Sequence, residues 1–117
     1  SENPATQSPF VIGEIIRKRI GFDGLLLSDD LDMEALSGTI PERAERAVAA
    51  GCDIALNCWG RMDDMTGIAA RLPAMTDKAA ERLRRAMASV AGKVVEEDQA
   101  VLIARRDNLL AYTGANA

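Results

Sequence analysis

The sequence of 117 residues contains no histidine at all. That absence excludes Ser-His and Cys-His nucleophile machinery within this chain. Cysteine is scarce: only Cys52 and Cys58 are present, and their separation is not a zinc-ligand pattern. Both are expected to be buried or half-buried thiols in a reducing cytoplasm. No apolar run approaches the roughly 20 residues needed to span a bilayer, and no signal peptide is visible, so no membrane partner is expected. The net charge is −4, with lysine and arginine spread along the chain; without a basic patch, nucleic acid is not an expected partner either. The opening Ser1-Glu2-Asn3-Pro4 has neither an initiator Met nor a leader, and the chain is expected to be an excerpt of a longer one.

Hydrophobic residues make up 48% and charged residues 27%, the balance of an ordinary soluble domain. The pattern alternates. Ser8 as N-cap and Pro9 at the first turn predict a helix over 9–20, with Val11, Ile12, Ile15, Ile16 and Ile20 at helical spacing and Gly21 as its stop. Leu25 to Leu27 predict a short strand at about 24–28, apolar on both faces. Thr39-Ile40-Pro41-Glu42 is a capping box that starts a helix running to about Ala50. A second strand is expected within Cys52–Asn57, with Asn57-Cys58-Trp59-Gly60 as its exit loop. Such alternation argues for an α/β fold, a parallel sheet wrapped by helices. Beyond Trp59 the chain turns helical, with helices expected at 62–72, 77–91 and 95–112.

The stretch 22–33, Phe-Asp-Gly-Leu-Leu-Leu-Ser-Asp-Asp-Leu-Asp-Met, organises the rest. A buried strand should not continue through three acids in four residues, so the first strand is expected to end near Ser28, with Asp29 and Asp30 projecting from its C-terminal end. In α/β folds that edge is where ligands bind. Residue chemistry alone leaves two readings open. Aspartates after strands cap turns and helix starts; an ionised aspartate fixed at a strand end also suits nucleophilic attack. A calcium loop fails, because Ala35 stands where the glycine is required and Pro41 occupies the twelfth position. Magnesium-dependent phosphoryl transfer lacks a Gly-rich loop and a lysine partner.

Gly21-Phe22-Asp23-Gly24, then Ser28-Asp29-Asp30-Leu31 and Met33, resemble the nucleophile segment of family 3 glycoside hydrolases, and within them the bacterial β-N-acetylhexosaminidases of peptidoglycan recycling. Ala50-Gly51-Cys52-Asp53 with Ile54 to Cys58 resembles the last strand of that family's barrel, and the likeness covers most of residues 4–75. The resemblance implies the last two β/α units of a (β/α)8 barrel of the TIM type over 1–75, followed by a C-terminal helical segment, 76–117, packed outside. It implies a retaining glycosidase that removes β-linked N-acetylglucosamine from N-acetylglucosaminyl-anhydromuramyl peptides, without cofactor or metal. By position, Asp29 is the implied nucleophile. The family's acid/base, a histidine paired with an aspartate on an earlier loop, is not in this chain, so the upstream barrel half is an expected partner and the chain alone is expected to be inactive.

Asp30 is expected to support Asp29 from behind or to bond loop backbone. Met33 is expected to pack or to line the pocket, and Trp59 to be partly buried. The two strands would both be edge strands, so the isolated chain is expected to associate with itself, to repack its helices, or to lie beside further chain. The competing function is a non-enzymatic helical interaction domain whose acidic loop only caps.

Overall fold

The computed structural model describes residues 3–93 and 98–112. A short turn at Ala5–Gln7 leads into a lead-in helix, Phe10–Arg19. Then come β1 (Leu27–Asp30), α1 (Ile40–Ala50), β2 (Ile54–Leu56), α2 (Met62–Arg71), α3 (Asp77–Val90) and α4 (Gln99–Tyr112). The two strands pair in parallel, as the alternation predicts. The last helix starts at Gln99 rather than at 95; residues 94–97 and 113–117 of that expectation lie outside the described residues.

Two starts follow their local chemistry. The Ser8 hydroxyl accepts a hydrogen bond from Val11 N–H at 3.3 Å, which makes it the cap its position predicts. At α1 the Thr39–Glu42 capping box forms in both directions. The lead-in helix departs from expectation in its winding. It is a π-helix, and Ile20 N–H reaches back five residues to Ile15. Its β-branched residues and Gly13 favour tight α winding least.

The core is small. Ile12, Leu31, Leu36, Ile40, Ala44, Ala47, Ala50 and Cys52 form it, with Ile16, Leu26, Ala55, Ile68 and Leu72 packed at its margin. Two glycines set the spacing. Gly51 has φ 116°, and a Cβ there would stand 2.9 Å from Ile12. A Cβ on Gly67 would stand 2.6 Å from Pro41, so the absence of a side chain inside α2 permits close approach to α1.

The helices cover one face of the strand pair. Leu26, Ser28 and Ala55 point toward them, whereas Leu27 and Leu56 remain 46% and 36% exposed. The sequence therefore places apolar residues on both strand faces, and the described chain buries only one.

The first strand also lies later than expected. It runs Leu27–Asp30 and includes both aspartates. The physical reason is that the face bearing Asp29 is uncovered, so the acid costs no burial there, and side-chain oxygens continue the pairing where the main chain leaves it.

Candidate active site

At the C-terminal ends of β1 and β2 the ladder breaks register between Leu27 and Asp30. Regular pairing begins with Ile54 N–H on Leu26 carbonyl at 3.2 Å. Two residues on, Leu56 N–H goes to the Ser28 hydroxyl oxygen at 2.9 Å. Two further on, Cys58 N–H goes to Asp30 Oδ1 at 3.1 Å. The Ser28 hydroxyl donates in turn to the Asp29 carbonyl at 2.7 Å. Pairing returns to the main chain when Leu31 N–H reaches the Leu56 carbonyl at 2.9 Å. This is a β-bulge, a device that re-aims a side chain at a strand end.

The side chain so aimed is Asp29, which is exposed. Its Oδ1 accepts Asp30 N–H at 2.8 Å, an amide the bulge has released from the ladder. Asp30 differs. Its Oδ1 accepts two backbone amides, from Cys58 and from Asp32 at 3.2 Å. The Cys58 amide bond, more than the other contacts, pulls its pKa below the usual carboxylate value. The two aspartates thus occupy the same strand end but face different surroundings.

The loop after β1 is held from both sides. Leu31 is wholly buried and Leu36 nearly so. From α1, Arg43 Nη1 donates to the carbonyls of Leu31 and Met33 at 2.8 and 3.1 Å, and Nε to Gly38 at 2.9 Å. These anchors were missed in the sequence, although Leu31 and Leu36 lie five apart between acidic and polar residues. A recess of about 390 Å3 lies here, walled in part by Asp32, Arg43, Arg61 and Asp64. Arg61 pairs with Asp64 at 2.8 Å and with Asp32 at 3.7 Å.

Three expectations change. Trp59 is 72% exposed on the exit loop of β2 rather than partly buried. The Asn57 side chain accepts Gly60 N–H at 2.8 Å and closes the turn that carries it, and among the described residues no element reaches over that turn. Met33 is exposed rather than packed. Cys52 is buried as expected, but Cys58 is exposed. Partial desolvation, then the carboxylates of Asp30, Asp32 and Asp29, push the Cys58 thiol pKa up. Among the described residues no group of His, Cys, Asp or Glu is arranged to hold a metal ion, and no helix is long and apolar enough to cross a membrane.

The opposite strand ends carry a different network. Asp53 Oδ2 accepts from Arg17 at 2.7 Å and from Leu26 N–H at 2.9 Å, while Oδ1 accepts from Arg82 at 2.9 Å. The larger hollow, about 530 Å3, is on this side, bordered by Cys52, Asp53, Met75 and Arg82. It contains none of the strand-end acids. In barrels of parallel strands, chemistry sits at the C-terminal ends and the other end serves stability.

Residues 1–95 match the family model described as the glycosyl hydrolase family 3 N terminal domain. A protein from Chromobacterium violaceum named beta-hexosaminidase is 43% identical over 106 residues, 89% of this chain and 29% of that protein. Beta-hexosaminidases of Bordetella parapertussis and Idiomarina loihiensis are 45% and 35% identical, over 72% and 80% of this chain and 24% and 29% of theirs. The chain thus spans less than a third of the length of these relatives. With a strand-end acid site on parallel β/α units and a family match over most of its length, the chain belongs to glycosyl hydrolase family 3, whose N-terminal domain is a TIM-barrel-type fold.

Proposed function

We propose that this chain supplies the last two β/α units of a family 3 barrel, over 1–75, with helices 76–117 outside it, and that the complete barrel is a retaining β-N-acetylhexosaminidase. The proposed substrates are N-acetylglucosaminyl-anhydromuramyl peptides of cytoplasmic cell-wall turnover. Asp29 is the nucleophile. Its carboxylate attacks the anomeric carbon, the bond to the leaving oxygen breaks, and a glycosyl-enzyme forms that water then releases. The leaving oxygen needs a proton from a group on the other side of the sugar. The chain has no histidine, so in this reading that group comes from upstream barrel.

The observation that carries the reading is the exposed Asp29 carboxylate on the uncovered face at the C-terminal end of β1. The capping alternative fits Asp30, which bonds two loop amides; Asp29 holds only the neighbouring Asp30 N–H. To test it, the chain is joined behind the upstream part of the Chromobacterium violaceum relative and assayed on a chromogenic N-acetylglucosaminide. Turnover that Asp29→Asn lowers by orders of magnitude, while Asp32→Asn changes it little, supports the proposal. Full activity of Asp29→Asn refutes it.

A further inference from the structure

On the reading that Asp29 attacks the sugar, we propose that Ser28 and Asp30 are positioning residues that together set the aim of its carboxylate by accepting the Leu56 and Cys58 amides of the neighbouring strand and its exit loop on their side chains.

The argument starts from the amides of β2. Alternate residues 54, 56 and 58 send their N–H groups toward β1. Their acceptors are Leu26 carbonyl, Ser28 hydroxyl and Asp30 carboxylate, at 3.2, 2.9 and 3.1 Å. Only the first is a main-chain group. Period two puts residues 28 and 30 on the side opposite Asp29, and Ser28 is 5% exposed whereas Asp29 is exposed. The register shifts by one residue between the pairs Leu27–Ile54 and Asp30–Leu56. Asp30 N–H is then free of the ladder and bonds Asp29 Oδ1 at 2.8 Å. The Ser28 hydroxyl both accepts from Leu56 and donates to the Asp29 carbonyl, so it fixes the peptide that follows Asp29. Asp30 ties the same segment to Cys58 and Asp32.

A carboxylate and a hydroxyl are suited to this task for different reasons. The hydroxyl donates and accepts at once. The carboxylate accepts two amides on one oxygen, and an amide oxygen can do the same. Charge at position 30 is therefore dispensable for positioning, and the acceptor atom is not. Displacing a reacting group by about 1 Å costs on the order of 10²-fold in rate.

The test uses the complete barrel carrying this chain. Ser28→Ala and Asp30→Ala should each lower kcat by about 10²-fold with KM little changed, and Ser28→Thr and Asp30→Asn should recover most of that loss. Hydrogen exchange should quicken at the Leu56 amide in Ser28→Ala and at the Cys58 amide in Asp30→Ala. If Asp30→Ala does not fold, Ser28→Ala and Asp30→Asn carry the comparison. Unchanged kcat in Ser28→Ala, with Asp29→Asn inactive, overturns the positioning role and leaves the nucleophile reading intact. Asp30→Asn as inactive as Asp29→Asn overturns it too. An active Asp29→Asn sinks the nucleophile reading and the positioning role that rests on it; exchange at Leu56 and Cys58 then reports only whether the two acceptors form.

Discussion

Asp29 and Asp30 are adjacent residues of one type in different surroundings. Asp30 is tied by two backbone amides and has a lowered pKa. A depressed carboxylate contributes stability above its unfolded pKa and loses it as pH falls through the folded value. The Asp30 bonds should therefore be complete above about pH 4, the ordinary aspartate range, and fade only below it. The Cys58 amide resonance followed through an acid titration checks this; movement of that resonance between pH 5 and 7 would contradict it. Trp59 is the other residue whose surroundings matter. It is exposed on the exit loop of β2, at the strand end that bears the acids. In the proposed barrel, Trp59→Ala should raise KM several-fold and leave kcat nearly unchanged, as steady-state kinetics would show.

At the scale of elements, α3 is docked by charge rather than by apolar contact. Ala79 is its only buried residue. Arg82 reaches both Asp53 and Asp23, and Arg85 and Lys78 also meet Asp23. The Arg82 and Arg85 guanidiniums, ahead of Lys78, hold the Asp23 carboxyl well below the usual carboxylate range. Asp23 is about half exposed, so salt screens its pairs. Asp53, only 6% exposed, is protected from that screening. Removing it takes the carboxylate from the Leu26 amide and from Arg17 and Arg82, leaving Arg17 only the Phe22 and Gly24 carbonyls and Arg82 only the exposed Asp23. Asp53→Ala should cost about 3 kcal/mol in urea unfolding, while Asp23→Ala should cost far less, because its pairs are screened by solvent. Equal losses would show that the buried network has been misassigned. Part of the fold was legible in the sequence: the presence of two strands, the Thr39–Glu42 capping box and the Gly51 helix stop announce themselves through local residue chemistry. The bulge was not, because hydrophobic patterning is blind to a serine and an aspartate acting as ladder acceptors. Nor was the Asp53 network, since pairs such as Arg17 with Asp53 lie 36 residues apart and leave no local signal.

The whole molecule is open where a finished barrel would be closed. Its accessible surface is 8631 Å2, against about 6,200 Å2 expected for a compact monomer of this mass. Leu27 and Leu56 line an uncovered strand face, and α4 buries none of its residues. The two strands among the described residues are also far short of the eight that close a barrel. The purified chain alone should therefore bind an apolar dye, associate by light scattering, and hydrolyse no glycoside. A stable monomer with cooperative unfolding and no dye binding would contradict that picture. The central claim is chemical, and a fluorinated glycosyl reagent that traps the covalent intermediate tests it most directly. After reaction with the complete barrel, digestion and mass spectrometry should find the sugar on Asp29. A label on Asp30, on Asp32 or on any upstream residue would contradict the account.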